Sequence, residues 1–385
     1  MTRRPFYELT GRLAEFDALQ ARLAEGPRLL VVAATPRSGT SRLLGQFDSS
    51  AGTTLVLTDA RPCLDGLDLA MQIADAAVRQ LAPGASAWWQ SRDAPQDLEG
   101  LRLARALAEG GVDLDALRFG RGEAAERLSD AFRLTHRLLD GAPGSIVVDH
   151  FGELLSGLTE QGIRRLLGDL RIIAQRKDAT ALVLVEPPAG PVAVALEDPE
   201  HPLFHGGQRI DITRAEPSRF LTDLVVTRPS LPAGVTPPLV GAVAVLAEGV
   251  PDLVWQTIAM APLDHKPTAA AAVGWQRLQD ATAAQMATEW ALLRRVHPHA
   301  QTVTGALACG LAPTAAVPNP RSASDALTRL RGMGLTWQPR PRVWKLTDPL
   351  LASWIRHHAP PWTRRKCVFE KAGGGGVTLH AGDAD

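Results

Sequence analysis

Cysteine is scarce: the 385 residues hold only Cys63, Cys309 and Cys367, far apart and in no metal-ligand spacing. That excludes a disulfide framework and reads as the reduced thiols of a cytoplasmic protein. No charge of one sign prevails, with 41 basic and 41 acidic side chains. Without a bulk field, nothing global draws the chain to nucleic acid or to a membrane surface. No uninterrupted apolar run reaches the roughly 18 residues that a membrane span requires. The first residues, Met-Thr-Arg-Arg-Pro-Phe-Tyr-Glu, lack the apolar stretch of a secretion signal. Internal repeats are absent, and lysine is rare beside arginine, which reads as base composition of the genome. What remains is an ordinary globular balance of 45% hydrophobic and 21% charged residues, long enough for two or three domains.

Against that background one stretch stands out. The apolar run Leu29-Leu30-Val31-Val32 leads into Ala33-Ala34-Thr35-Pro36-Arg37-Ser38-Gly39-Thr40-Ser41-Arg42. A phosphate-binding loop reads G-x-x-x-x-G-K-[ST], its backbone N–H groups cradling phosphate at a helix N-terminus. Here Ala34 stands for the first glycine, Gly39 is the second, Thr40 replaces the lysine, and Ser41 keeps the hydroxyl for Mg²⁺. The candidate nucleotide contacts are Ala34, Arg37, Ser38, Gly39, Thr40, Ser41 and Arg42. The lysine normally neutralises charge on the transferred phosphoryl group, and Thr40 cannot. Arg37 and Arg42 are the nearest substitutes, but a planar guanidinium needs different room.

A second element fits the first. Ser145-Ile146-Val147-Val148-Asp149 reads as a buried strand ending in the carboxylate that supports Mg²⁺, so Ser41 and Asp149 form the candidate metal pair. His150 comes next, where many ATPases carry the glutamate that polarises water, and neutral histidine is a base near pH 7. Glu153 is a further carboxylate nearby. Asp149, His150 and Arg209 are the candidate catalytic residues, and the cofactors implied are ATP or ADP with Mg²⁺.

Strand signals recur at Leu29–Ala33, Thr53–Thr58, Ser145–Val148, Ala181–Val185 and Gln208–Thr213. Helical spacing lies between them, at Leu13–Ala24, Leu67–Leu81, Leu98–Leu139 with breaks at the glycines, and Ile163–Arg176. Strands alternating with helices imply an α/β fold with a mostly parallel sheet covered on both faces. After Arg214 the pattern turns helical and ends in a short hairpin. The tail from Lys371, with Gly373–Gly376, carries no structural signal.

Further segments line up with a known family. Gly11-Arg12-Leu13-Ala14-Glu15 resembles the G-R-x-x-E helix that precedes the P-loop in AAA+ and STAND ATPases. His201-Pro202-Leu203-Phe204-His205-Gly206 resembles the P-L-F-G-R segment after the fourth strand in archaeal-type STAND ATPases, and Gly249-Val250-Pro251 resembles the G-x-P of their helical lid. The run Asp348-Pro349-Leu350-Leu351-Ala352-Ser353-Trp354 resembles the D-P-x-x-x-x-W signature of their winged helix. The resemblance covers roughly Phe6 to His358. It implies an AAA+-like P-loop domain over 1–214, a helical lid over 215–285, a winged helix over 286–360 and a flexible tail over 361–385. Nucleotide-controlled switches of bacterial signalling, regulation or defence are what it implies functionally.

The chain departs from the family where the chemistry lies: Ala34, Thr40 and His150. Glu186 ends the fourth strand, where the family has a small polar residue sensing phosphate. An acid there repels phosphate unless paired or protonated. Arg209 is a displaced candidate for an arginine finger, or simply a strand-edge charge.

Arg321–Gly332 looks like a recognition helix, capped by Ser322 or Ser324. Arg321, Arg329, Arg331 and Arg342 are its candidate nucleic-acid contacts, with Arg340 and Lys345 also on the hairpin. In relatives such a domain also packs on the ATPase domain or binds protein. Trp88-Trp89 reads equally as a partner contact and as core. His297, His299, His357 and His358 lack the companion ligands of a metal site. Three readings stay open: a nucleotide-binding or hydrolytically impaired regulatory component acting with a protein partner and able to form homo-oligomers, an active ATPase with a non-standard loop, and a winged-helix DNA-binding regulator.

Overall fold

The computed structural model describes residues 11–25, 29–35, 38–50, 54–91, 98–176, 180–188, 190–201, 203, 206–227, 231–340, 342–358, 367–371 and 377–381. The chain divides into two compact units. The sheet unit comprises Ala14–Ala34 and Thr40–Ile212, and the helical unit comprises Met1–Leu13, Thr35–Gly39 and Thr213–Asp385.

The elements leading into the sheet unit run α1 (Leu13–Ala24), β1 (Leu29–Ala34), α2 (Thr40–Ser50), β2 (Thr54–Asp59), α3 (Gly66–Leu81), α4 (Ser86–Gln90), α5 (Leu98–Glu109), α6 (Leu114–Arg118) and α7 (Ala124–Leu139). They continue with β3 (Gly144–Asp149), α8 (Phe151–Gly157), α9 (Glu160–Ala174), β4 (Ala181–Glu186), α10 (Pro191–Glu197) and β5 (Gln208–Ile212). The sheet has the order β2-β3-β4-β1-β5, and every pairing is parallel. Parallel strands are covered on both faces, which is why β1, Leu-Leu-Val-Val-Ala-Ala, is buried at all six positions. The strand order reverses around β1, and in open α/β sheets ligands bind outside the carboxyl ends of strands at such a point.

Five helices, α3 to α7, intervene between β2 and β3. Trp88 and Trp89 belong to them and are buried, so the tryptophan pair is core. Arg118 lies over the Trp88 ring at 4.8 Å and donates to the Trp88 carbonyl at 2.9 Å. The Trp89 indole donates to Asp75 at 2.5 Å.

The helical unit contains α11 (Pro217–Thr227), α12 (Pro237–Leu246), α13 (Pro251–Met260), α14 (Pro267–Val296), α15 (Ala300–Ala308), α16 (Pro313–Ala316) and α17 (Pro320–Gly332). An antiparallel hairpin of β6 (Thr336–Arg340) and β7 (Val343–Leu346) comes after them, then α18 (Pro349–His358). Proline opens all of these helices except α15. Its fixed φ suits the first helical position, where its missing N–H has no intrahelical partner to lose. The helix α14 continues unbroken through residues 285 and 286, where the sequence places a domain boundary, because no glycine or proline interrupts it after Gly274. Its residues contribute to one apolar core shared by α11 to α15, α17 and α18.

Motif residues explain how this unit closes. Gly11 has φ +85°, and a Cβ there would lie 2.8 Å from the Phe220 ring, while its N–H donates to Asp223 at 2.7 Å. Gly249 has φ +74° and sits so close to the Ala215 carbonyl that no side chain fits. Asp348 caps α18 by accepting from the Leu350 N–H at 2.8 Å, and Trp354 is buried. Helix α17 begins at Pro320 with Asn319 as its cap, accepting from the Arg321 N–H at 2.9 Å. Ser322 and Ser324 lie inside the helix, so the expected serine cap is corrected by a turn: the Asn-Pro pair presets the first turn better than either serine.

The tail expected to lack structure carries an antiparallel strand pair, β8 (Cys367–Lys371) with β9 (Val377–Ala381). Arg364, Arg365 and Lys366 lie outside the described residues, as do Phe6, Pro202, Phe204 and His205. Among the described residues no single helix is long and apolar enough to cross a membrane.

Candidate functional site

The carboxyl ends of β2, β3 and β4 each carry an acidic residue, Asp59, Asp149 and Glu186. Register pairs Asp59 with Asp149 across β2 and β3. In a parallel sheet, final residues of neighbouring strands share one edge, so the topology collects them there. The first turn of α2 adds Ser41, whose hydroxyl donates to Asp149 Oδ2 at 2.5 Å. The other carboxylate oxygen accepts the His150 N–H at 2.9 Å. Asp149 retains 19% side-chain exposure, so it is held in place yet open to solvent.

His150 takes a left-handed conformation, φ 57° and ψ 28°, at the start of α8. Few non-glycine residues adopt this conformation. It turns the ring back along the sheet edge, with Nδ1 3.3 Å from Asp59 Oδ1 and 3.7 Å from Asp149 Oδ1. Asp59 is in turn gripped by the Arg61 guanidinium, at 2.9 Å from Nε and 2.5 Å from Nη2 to Oδ2. Burial works against the Asp59 carboxylate, but the Arg61 hydrogen bonds and the nearby His150 outweigh it and hold its pKa below the usual value. Asp59 and Arg61 are absent from the sequence-derived site. The signal was available, since Thr-Leu-Val-Leu-Thr-Asp ends the second strand as Asp149 ends the third.

The pair Ser41 and Asp149 suits a hard cation. Both offer oxygen donors, one anionic and one neutral, already within hydrogen-bond distance of each other, and Mg²⁺ takes one or two such protein ligands alongside water and phosphate. Neither the loop nor α2 contains a lysine, the first in the sequence being Lys177. Thr40 stands in the lysine position and is buried, with 7% exposure. Arg42 is exposed on α2. Arg37 and Pro36 lie outside the described residues. Ala34 and Ser38 are buried.

The loop residues Thr35–Gly39 group with the helical unit. There the Ser38 N–H donates to the Thr35 carbonyl at 2.9 Å, closing a turn. Gly39 has φ +82°, and a Cβ on it would stand 3.3 Å from Pro251, the proline of the Gly249-Val250-Pro251 segment. Glycine is therefore favoured at position 39 by backbone angle, and a side chain there would also crowd Pro251.

Glu186, at the end of β4, is 2% exposed. Its carboxylate accepts from the Val192 N–H at 3.2 Å and the Ala193 N–H at 2.5 Å, in the first turn of α10. Burial pushes its pKa up to about 7, against those two backbone hydrogen bonds and the field of Arg209. The acid is thus both paired and poised to accept a proton. Arg209 is held by Glu197 at 2.6 Å, Asp211 at 2.7 Å and the Pro188 carbonyl at 3.2 Å. These contacts brace β5 against the β4–α10 turn. Glu153 lies in the first turn of α8.

The candidate nucleic-acid residues are spread over the helical unit and partly engaged. Arg329 donates to the Val296 carbonyl at 3.2 Å, Arg331 lies over the Trp344 ring at 5.9 Å, and Arg321 is exposed. Arg342 is exposed in the β6–β7 turn with φ 67°.

No family model matches the chain, and no curated protein matches it. Solved structures do. A Walker-type ATPase of Pyrococcus abyssi superposes with a TM-score of 0.60 at 16% identity, over 90% of this chain and 95% of that one. The Orc2 protein of Aeropyrum pernix, solved as ADPNP–ADP complexes, gives a TM-score of 0.49 at 12% identity, over 92% of this chain and 94% of that one. The likeness is one of fold: a parallel five-stranded sheet with helices, the P-loop NTPase α/β fold.

Proposed function

We propose that this protein binds ATP or ADP with Mg²⁺ at the carboxyl edge of β1 and β3 and uses the bound state as a signal, with hydrolysis slow or lost. The observation that carries the reading is the Ser41–Asp149 hydrogen bond. It joins the loop hydroxyl to the strand-end carboxylate, the two groups through which P-loop proteins hold the metal. Ser41 and Asp149 would hold Mg²⁺, and the ion would supply positive charge against the phosphates there. Thr40 stands, with a neutral hydroxyl, where the motif has a lysine. Asp59 orients the His150 ring at the same edge.

Slow turnover is the consequence of a missing charge. A fixed cation on the transferred phosphoryl group is a large part of catalysis by positioning and electrostatics. Arg61 is committed to Asp59 and does not supply one.

The finer reading is a STAND-type switch with a helical lid and a winged helix, working in the cytoplasm with a protein partner. It is supported by the structural work that its motif glycines and capping residues do: Gly11 against Phe220, Gly249 against Ala215, and Asp348 on α18. Arg329 and Arg331 have partners inside their own unit, which favours a protein partner over DNA.

Thermal unfolding with and without millimolar nucleotide and Mg²⁺ tests the proposal. A ligand that binds only the folded state stabilises it by RT ln(1 + [L]/Kd), about 2.7 kcal/mol at a hundredfold excess over Kd. A raised midpoint in the wild type, lost in Asp149→Ala and Gly39→Asp, together with phosphate release near background, is the expected result. No shift at millimolar nucleotide would overturn nucleotide binding, and rapid phosphate release would overturn the switch reading.

A further inference from the structure

We propose that the sheet unit carries a second anion site, at the opposite edge of the sheet from Asp149, that takes a compact ligand bearing two or more phosphoryl groups. A cleft of about 390 Å³ opens there, lined by Ser129, Arg133, His136, Arg137, Asp140 and Arg176. An adjoining hollow shares Ser129, Arg133 and Arg176 but is lined as well by Asp113, Glu126 and Asp130, so the anion site is confined to the cleft. Topology sets the location: Asp140 closes α7 just before β3 begins, and Arg176 comes after α9 just before β4 begins. Both therefore lie at the amino ends of those strands.

The basic lining is built by helical period. Ser129, Arg133, Arg137 and Asp140 lie four, four and three residues apart along α7 and its cap, which puts them on one face. Arg176 reaches the same face and donates to the Ser129 hydroxyl. Asp130 is 2% exposed, and its charge is taken up by Arg127 at 2.8 Å and Arg133 at 2.6 Å. That ion pair fixes the Arg133 guanidinium by Nη2, while its Nε is buried without a hydrogen-bond partner. No hydrogen bond or ion pair to a described residue engages the Arg137 or His136 side chain. Arg133, Arg137 and Arg176 thus face one open cleft whose only carboxylate, among the described residues, is Asp140.

The chemistry selects phosphate. Guanidinium forks match phosphate oxygens in pairs, and such charge-assisted bonds are about twice as strong as neutral ones. The helix end at this position presents carbonyls, which repel anions. Binding must therefore run through side chains, and three guanidiniums, two from α7 and one beyond the end of α9, supply donors and charge for more than one phosphoryl group. The cleft volume falls at the small end of ligand pockets and suits a pyrophosphate-sized group better than a polymer. This proposal is independent of nucleotide binding at Ser41 and Asp149.

Calorimetric titration of the full chain with inorganic pyrophosphate, in chelator to remove Mg²⁺ and at low salt, tests it. The expected result is saturable binding that persists in Gly39→Asp and in Asp149→Ala. It should weaken roughly tenfold or more for each guanidinium removed in Arg137→Ala and Arg176→Ala, as lost hydrogen bonds to a charged group imply. The double variant to lysine should bind with intermediate affinity, since it keeps charge but loses the fork. Unchanged circular dichroism and unfolding midpoint would show that the arginine variants are folded. Absence of binding at millimolar pyrophosphate, binding unaffected by the arginine substitutions, or binding lost only in the loop variants would each overturn the proposal. So would binding of a single-stranded oligonucleotide without binding of pyrophosphate.

Discussion

Asp149 and Glu186 end adjacent strands of one sheet and have opposite fates. Asp149 is 19% exposed and shares its oxygens between a hydroxyl and a backbone N–H, with His150 alongside. Glu186 is sealed at 2% exposure, and its oxygens are consumed by the first turn of α10. The first carboxylate is presented and the second withdrawn. A strand-end acid is thus not a site by virtue of position: the turn just after the strand decides. After Asp149 the chain turns through a left-handed residue and leaves the carboxylate facing outward. After Glu186 it turns through Pro187-Pro188 and folds a helix terminus over the acid.

The contrast can be broken most severely at Glu186. Glu186→Ala would leave two buried N–H groups without an acceptor and open a cavity, costing about 2–4 kcal/mol of stability in denaturant unfolding. Asp149→Ala, at a partly exposed position, should cost less than about 1.5 kcal/mol while removing the nucleotide-dependent shift. Equal stability losses would erase the distinction between a structural and a presented acid.

Gly190→Ala attacks the seal from outside. A Cβ at that position would lie 2.4 Å from the Glu186 carboxyl group, and its backbone, at φ −66°, is otherwise compatible with alanine. The expected loss is about 1–3 kcal/mol from overpacking, seen as a lowered unfolding midpoint with no change in nucleotide affinity at saturation.

The pH dependence sharpens the comparison, because the acids of this edge have opposite signs. Glu186 has a folded-state pKa raised to about 7 from 4.5. The folded protein then binds the proton more tightly than the unfolded chain. This contribution is fully present below the unfolded pKa and is lost as pH rises through about 7. It should amount to about 1–3 kcal/mol, and Glu186→Gln should flatten stability between pH 4.5 and 7. Asp59 has a lowered folded-state pKa. Its contribution is present above the unfolded carboxylate value and is lost on acidification, but at 40% exposure it is worth no more than about 1 kcal/mol. Asp59→Asn should therefore be the mildest change, visible only as a slightly shallower acid limb.

Much of the fold was legible in the sequence. The strands β1, β3 and β4 read directly as apolar runs bounded by Gly, Pro and Asp, and Asp149 and Glu186 fall at the strand ends where they were expected. Pairing of β1 between β4 and β5 was not legible, because it is settled by helices packing on the sheet and not by any local pattern. The proline at the start of most helices in the second unit was a stronger signal than the serines chosen to cap α17. The continuity of α14 could be read from its long run without a breaker. Asp59 and Arg61 escaped because a charged pair two residues apart looks like any solvated turn until the sheet aligns it with Asp149. The arginines of α7 escaped for a similar reason: their spacing is that of a solvated helix face, and only Arg176, just beyond the end of α9, completes the cleft. The role of Glu186 depended on Val192 and Ala193, ordinary apolar residues whose N–H groups sequence does not advertise.

The most direct test of the account is the Mg²⁺ dependence of ATP affinity, measured by titration calorimetry on the wild type and on Asp149→Ala. If Ser41 and Asp149 hold the metal, Mg²⁺ should tighten ATP binding by about tenfold or more in the wild type, the size expected for a charge-assisted contact, and should have no effect in the variant. Equal affinities with and without Mg²⁺ in the wild type, or an undiminished Mg²⁺ effect in Asp149→Ala, would contradict it.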